Sequence, residues 1–514
     1  MTSSTSTSTS TSTSTSTSTS TTSRTTTGTP VHDLVGVGIG PFNLGLACLT
    51  DPIDDLDAVF LDQADGFAWH HGMMLDDATI QVPFLADLVT MADPTSRWSF
   101  LAWLKATGRL YPFYIREDFH PLRREYDAYC RWAAEQLDTL RWGRRVVAVE
   151  HDPDTDLFTV HAETPDGPET YRARHVVTGI GTEPAVPEAL RGLDGPVVHS
   201  AGYLPAREDL RRADSIAVVG SGQSAAEVYR DLLEGIRDGG YRLDWITRSP
   251  RFFPMEDTKL TLEMTSPEYT DHFHGLPGPV RDRLGREQRG LYKGISADLV
   301  DTIYDTLYRT SATGPVPTTL RTDTSVVAAT WMPDRDRFRL TLRHAQLGTE
   351  AEHEVARLVL ATGYRPRTPD FLAPVEHLVA RDERGRLAVA RDLHVDTLGG
   401  RIWVQNAEEH THGLTAPDLG MGAWRNASII RSVTGRAVYG LEERIAFQEF
   451  GLPGGRPAPD PTGPAPDAPP ATAAGPATDD PTAAGPATDD PTADEPTAAS
   501  AAGARAGQHT GVSA

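Results

Sequence analysis

The chain has 514 residues, 39% of them hydrophobic, with 48 basic against 71 acidic side chains and a formal net charge of −23. That length can bury a large core over two or three domains, and the acidic excess argues against nucleic acid or an anionic membrane surface as partner. No apolar run approaches the ~20 residues of a membrane span, and Cys48 and Cys130 lack C-x-x-C spacing, which suits a reducing cytoplasm and excludes dithiol–disulfide chemistry.

Residues 2–23 alternate Thr and Ser without one aliphatic or aromatic side chain. Such a segment cannot offset the entropy of ordering, so residues 1–30 are expected to be a disordered tail, and they lack the apolar stretch of a secretory signal. The first patterned run is Leu34-Val35-Gly36-Val37, followed by Gly38-Ile39-Gly40-Pro41-Phe42-Asn43 and a helix-like stretch. Glycine there permits a tight turn and close backbone approach, and the helix N-terminus offers free N–H groups to a pyrophosphate. The unit closes on the strand Ala58-Val59-Phe60-Leu61 and then Asp62, an acid where a ribose hydroxyl is usually held.

Helical spacing follows at 98–108 and 124–137, then a strand around Val146-Val147-Ala148-Val149 and another, His175-Val176-Val177, ending in Thr178-Gly179. A second fingerprint, Gly220-Ser221-Gly222-Gln223-Ser224-Ala225, follows the run Ile216-Ala217-Val218-Val219. Its partner strand, 243–247, ends at Arg248; a cation in place of an acid fits a 2′-phosphate and hence NADPH, with Arg251 as the near alternative. Two fingerprints in strand–turn–helix context imply two nucleotide cofactors, which usually means a flavin reduced by a nicotinamide. Residues 255–315 read as a helical elaboration, and Leu358-Val359-Leu360-Ala361-Thr362-Gly363 as a strand returning to the first domain. From Gly451 the chain turns Pro/Ala/Thr/Asp-rich and repeats AAGPATDDPT in tandem over residues 473–492, the composition of a solvated tail.

The expected fold is therefore α/β: two Rossmann-like dinucleotide-binding domains, the second inserted in the first, with a small helical substrate region. The boundaries expected are 31–204 and 355–450 for the flavin domain, 205–354 for the NADPH domain and 451–514 for the C-terminal tail.

Several of these segments together resemble one family. They are Val37-Gly38-Ile39-Gly40-Pro41-Phe42-Asn43-Leu44, Trp69-His70, Asp87-Leu88-Val89-Thr90 with Asp93-Pro94-Thr95-Ser96, the second fingerprint, Ala361-Thr362-Gly363-Tyr364 and Thr411-His412-Gly413-Leu414. Over residues 31–450 the chain resembles the flavin-dependent N-hydroxylating monooxygenases of siderophore biosynthesis, the lysine/ornithine N-hydroxylase family, and within it the diamine (cadaverine or putrescine) N-hydroxylases. The resemblance implies FAD, NADPH and O2: NADPH reduces FAD, O2 adds to give a C4a-hydroperoxyflavin, and the substrate's terminal amine attacks the distal oxygen. That amine must be neutral to react, although an unperturbed alkylammonium has a pKa of about 10.4; burial would lower it. A homo-oligomer, commonly a tetramer, is implied too.

Position by position, the resemblance lays Gly38, Gly40, Asn43 and Asp62 to Trp69 and His70 along FAD. Gln81 falls near the isoalloxazine, with no acid–base residue expected, and the backbone of Val146 or Val147 at the adenine. Pro417, Asp418 and Leu419 close over the flavin. Gly220, Gly222, Gln223, Ser224, Ala225 and Arg248 would hold NADPH, and Gly420 would face the substrate. Glu408-Glu409-His410-Thr411-His412 has metal-ligand chemistry, but the family turn accounts for it and no metal is expected. Leu193-Asp194-Gly195 with His199 and Tyr203 resembles a degenerate fingerprint of class B flavin monooxygenases.

Two departures bear on substrate. Amino-acid hydroxylases of this family carry a lysine five residues after Gln81, against the substrate α-carboxylate; here that residue is Ala86. A second polar contact aligns near Leu262. Losing both would leave a buried carboxylate unpaired at a cost of several kcal/mol, so a primary diamine is expected, with Asp257 or Glu263 as candidates for its far ammonium. The alternatives are L-lysine N6- or L-ornithine N5-hydroxylation and, more remotely, a non-catalytic NADPH-sensing or scaffold protein.

Overall fold

The first apolar run becomes the strand Val31–Val37, buried over its last four residues because neighbours bond it on both sides. It pairs parallel with Ala58–Leu61 and with the second half of the long strand Gly167–Thr178. That long strand serves two layers. Its first half pairs antiparallel with Leu157–Thr164, which pairs in turn with Arg145–Asp152, while its end pairs parallel with Ile402–Val404. The computed structural model describes residues 30–367 and 369–452; apart from Pro30, Gly451 and Leu452, the two expected tails lie outside the described residues.

The second sheet is parallel throughout, in the order Thr318–Arg321, Arg242–Ile246, Ser215–Val219, Arg357–Leu360, Val197–His199. This corrects the expected boundary. Residues 357–360, read as the return to the first domain, lie between Ser215–Val219 and Val197–His199 in the sheet of the second fingerprint. Their continuous apolar run explains why: Leu358, Val359 and Leu360 are each at most 3% exposed, the pattern of a strand buried on both faces. The second sheet thus takes in strands on both sides of 205–354. The chain rejoins the first sheet only at Ile402–Val404.

Two short strands, Thr182–Pro184 and Tyr364–Pro366, pair antiparallel where the chain passes between the sheets. A separate meander of Thr324–Met332, Arg337–His344 and Thr349–Val355 packs its apolar residues beneath the second sheet. The helical elaboration consists of Lys259–Leu262, Pro267–Gly275, Gly278–Glu287, Gly290–Lys293 and Ala297–Ser311. The spacing at 98–108 and 124–137 becomes helices Phe100–Ala106 and Arg123–Ala134, which bury Phe100, Trp103, Tyr126 and Tyr129 against the first sheet's core.

Candidate functional site

Both glycine turns are built as a pyrophosphate cradle requires. At the end of Val31–Val37, Gly38 has φ +88°, and a Cβ there would lie 2.6 Å from the Gly179 carbonyl oxygen. The helix Pro41–Thr50 begins at once, and its first backbone bond runs from Leu44 N–H to the Gly40 carbonyl at 2.9 Å. The amides of Phe42 and Asn43 are therefore left facing out of the N-terminus. At the second turn Gly220 has φ +155°, and a Cβ there would sit 2.1 Å from the Ala361 carbonyl oxygen. The helix Gln223–Glu234 follows, its first bonds running from Ala225 and Ala226 to the Gly222 carbonyl.

Some expected cofactor residues stand behind the cradles. Asn43 is fully buried: its amide donates to the carbonyls of Gly38 (2.8 Å) and Val37 (3.3 Å), and its oxygen accepts from Gln405 at 2.8 Å. In place of the third glycine, Asn43 thus ties the turn to the end of the Ile402–Val404 strand; it positions the cradle from below. Ala225 is likewise fully buried against Gly220, the small residue that lets helix and strand close up. The Gln223 side chain is engaged with Glu227 (3.0 Å) and with the Ser296 amide (2.9 Å). Ser224 is half-buried at the helix start.

Asp62 stands at the end of its strand as expected and clasps the fingerprint, accepting from Ile39 N–H at 2.6 Å and Ala64 N–H at 2.8 Å. A carboxylate has about four lone-pair sites, so it can still accept from a ribose hydroxyl. In the strand Arg145–Asp152 the register slips between Val146 and Ala148, so Val147 is a bulge residue outside the regular pairing. Arg248 is exposed with no ion-pair partner among the described residues, whereas the Arg251 guanidinium stacks 4.4 Å over Phe253. That difference favours Arg248 as the free cation.

The segment after Asp62 meets the second lobe. Trp69 is held by Asp127, which accepts from its N–H at 2.9 Å, and its ring packs on Tyr126. His70 takes φ +49° and lies at an exposed rim within 6.3 Å of Tyr364. Partial loss of solvation, then the charge of Arg123, shifts its pKa downward. The Gln81 amide reaches Met255 Sδ at 3.7 Å, so it sits where the segments following the two fingerprints touch. Sequence reasoning missed the clamp beside it: Arg123 donates to both oxygens of Glu227 at 2.7 and 3.0 Å, joining the helix Arg123–Ala134 to the second fingerprint's helix. Nothing in the sequence pairs an arginine with an acid 104 positions away.

At the substrate end the structure brings Ala86 and Gly420 together. Ala86 is 6% exposed, and a Cβ added at Gly420 would lie 3.8 Å from the Ala86 Cβ. Pro417, Asp418 and Leu419 form the turn before the helix Gly422–Thr434, closed by Gly422 N–H on the Leu419 carbonyl at 2.9 Å. Other expectations fail. Leu262 is 52% exposed. Glu263 accepts from the amides of Phe447 and Gln448, each at 3.0 Å, and so pins the C-terminal stretch of the described chain. Asp257 is exposed. Neither carboxylate is placed to receive a buried ammonium, and Leu262 does not line a buried site.

The acidic and histidine run is committed elsewhere. Glu408 pairs with Arg425 (3.0 Å), Glu409 with Tyr292 and Lys293, while His410 and His412 reach the carbonyls of Leu387 and Arg391. Burial drives the His412 pKa to about 3. An open cleft of about 940 Å³, walled by Asp271, Arg391, Trp424 and Arg431, shares no residue with the candidates above.

Similarity to known proteins agrees with this geometry. A putrescine N-hydroxylase of Shewanella oneidensis is 46% identical over 422 residues, 82% of this chain and 84% of that protein. Among solved structures, the FAD-bound cadaverine monooxygenase of the desferrioxamine pathway of Erwinia amylovora is 46% identical, with a TM-score of 0.81, covering 82% of this chain and 99% of that one. The ornithine N-hydroxylase of Kutzneria sp. 744, solved with reduced FAD, NADP+ and L-ornithine, is 31% identical with a TM-score of 0.74, covering 79% and 99%. A family model described as L-lysine 6-monooxygenase/L-ornithine 5-monooxygenase matches residues 30–366, and the chain belongs to that family.

Proposed function

We propose that this protein is an FAD- and NADPH-dependent monooxygenase that hydroxylates one terminal amine of a small diamine, cadaverine or putrescine, for siderophore biosynthesis. The observation that carries the substrate is Ala86, buried against Gly420, at the position where amino-acid hydroxylases place a lysine. An α-carboxylate bound there would lose its water without gaining a cation. Relatives named for putrescine and cadaverine, at 46% identity, support the same reading.

The residues fit the two cofactors. The amides at Phe42 and Asn43, with Asp62 and the Val147 bulge, suit FAD, and the Gly220–Gly222 turn with Arg248 suits NADPH. The bound flavin would supply the activated oxygen once reduced by NADPH and met by O2. The chain's own part is to hold the two nucleotides, shield the centre from water and keep the reacting amine neutral. The buried His412 carries no proton near neutral pH.

No helix among the described residues is long and apolar enough to cross a membrane. Both cysteines are buried and free, which supports work in a reducing cytoplasm. The family's homo-oligomer extends to this chain, whose exposed Tyr111, Tyr114, Ile115 and Phe119 give an apolar face to cover. The deciding experiment quantifies hydroxylamine formed from putrescine, cadaverine, L-lysine and L-ornithine with FAD and NADPH. A diamine rate far below that on either amino acid refutes the substrate; no amine-dependent NADPH consumption refutes the enzyme.

A further inference from the structure

We propose that Asp418 receives the distal ammonium of the substrate, so that this site selects a diamine by inverting the charge that amino-acid hydroxylases use. The inference rests on the diamine reading above and names the residue that enforces it. Asp418 thereby moves from the flavin-covering turn of the sequence reading to the substrate's far end.

Of the carboxylates nearby in sequence or held by Arg425, two are closed. Asp87 accepts from the amides of Val89 (2.9 Å), Thr90 (2.6 Å) and Phe100 (2.7 Å) and from the Thr90 hydroxyl (2.6 Å). Glu408 is fully buried between Arg425 and the Ala407 amide. Asp418 is open. Its Oδ1 accepts from Met421 N–H at 3.0 Å, while its Oδ2 has no hydrogen-bond partner among the described residues, and the residue is half-buried. The Gly420 amide also faces this carboxyl group.

Among the described residues no cation forms an ion pair with its carboxylate, although the charge of Arg425 acts on it. Arg425 is the near one, but its guanidinium is committed to Glu408 (3.0 Å), the Thr415 carbonyl (2.9 Å) and the Ala416 carbonyl, and it reaches Asp418 only at the backbone oxygen (3.4 Å). Space is available on the open side. A Cβ on Gly420 would lie 2.9 Å from Asp418 Oδ1 and 3.8 Å from the Ala86 Cβ, so only glycine and alanine keep larger side chains away from the carboxylate. Burial pushes the Asp418 carboxyl up from its ordinary range, so a cation bound against it restores the charged form and is held in return. An ammonium fits that vacancy in charge. An α-carboxylate does not, since two like charges would meet at close range.

The test compares wild type with Asp418→Asn, which keeps the volume and the acceptor for Met421 N–H. Hydroxylamine formation by the FAD-loaded full chain is measured with cadaverine, putrescine, pentylamine and L-lysine. Losing a charge-assisted contact should lower kcat/KM for the diamines by about 10- to 100-fold, mainly through KM. Pentylamine, which has no second nitrogen, should change by no more than about threefold. Calorimetric binding of cadaverine should weaken by the same factor as its KM rises. Gly420→Ala, whose added Cβ would displace the carboxylate, should shift the diamine-to-monoamine ratio in the same direction. A parallel fall on diamine and monoamine, or an unchanged diamine KM, overturns the role of Asp418 alone. Wild-type enzyme that prefers L-lysine to both diamines overturns the substrate reading beneath it.

Discussion

Replacing Gly220 by alanine tests whether the second cradle acts independently of the first. The residue sits at φ +155°, and the new Cβ would lie 2.1 Å from the Ala361 carbonyl oxygen and 2.8 Å from its carbon. Those are backbone atoms, pinned by the bond from Ala361 N–H to the Val219 carbonyl at 2.8 Å, so they cannot swing aside. Relief requires the turn to retreat by roughly 1 Å to reach ordinary contact, on top of about 1–3 kcal/mol of backbone strain. A retreat of that size breaks at least one amide–phosphate contact worth about 1.5–3 kcal/mol, a loss of roughly 10- to 150-fold in affinity. Stopped-flow flavin reduction against NADPH concentration reads that loss directly. FAD content should hold, because Gly38, Asn43 and Asp62 belong to the other sheet. An NADPH affinity within about threefold of wild type, or FAD lost in proportion, refutes the reasoning.

Other outcomes follow from the same geometry. Arg248→Ala should weaken NADPH by about tenfold and narrow its advantage over NADH, whereas Arg251→Ala, losing a stacked cation, should do neither; steady-state kinetics with both nucleotides decides. Glu263→Gln should leave the diamine KM within about twofold, since that carboxylate pins residues 447–448, and a large KM rise would restore it as a substrate ligand. His412 titrates near pH 3 folded but about 6.5 unfolded, so only the unfolded chain takes up its proton as pH falls through that window. Its stabilisation, on the order of 4 kcal/mol, is complete above about pH 6.5 and is lost progressively toward pH 3. Thermal melts at pH 7.5 and 5.0 should drop more steeply for wild type than for His412→Asn, and equal slopes would sink the assignment.

The sequence carried local chemistry well. Both glycine turns, the acid at Asp62 and the arginine at 248 were legible because a strand–turn–helix cradle is made from consecutive residues. The swap of Lys for Ala86 was legible only through resemblance to a family. Apolar periodicity located the helices Phe100–Ala106 and Arg123–Ala134 but erred at 357–360, where an all-apolar strand names no sheet. Leu262 and Glu263 were misplaced because a resemblance in sequence cannot say which way the short helix Lys259–Leu262 and the residue after it turn.

By itself, then, the sequence determined that two nucleotide cradles exist and which cofactor type each suits. Only the tertiary structure decided that Asn43 props a turn, that Arg123 clamps Glu227 across the two sheets' helices, and that Asp418 Oδ2 lacks a hydrogen-bond partner among the described residues. The reason is range. Turns and caps form between neighbours a few residues apart, whereas an unpaired carboxylate becomes recognisable only once every distant donor that could fill it has been placed.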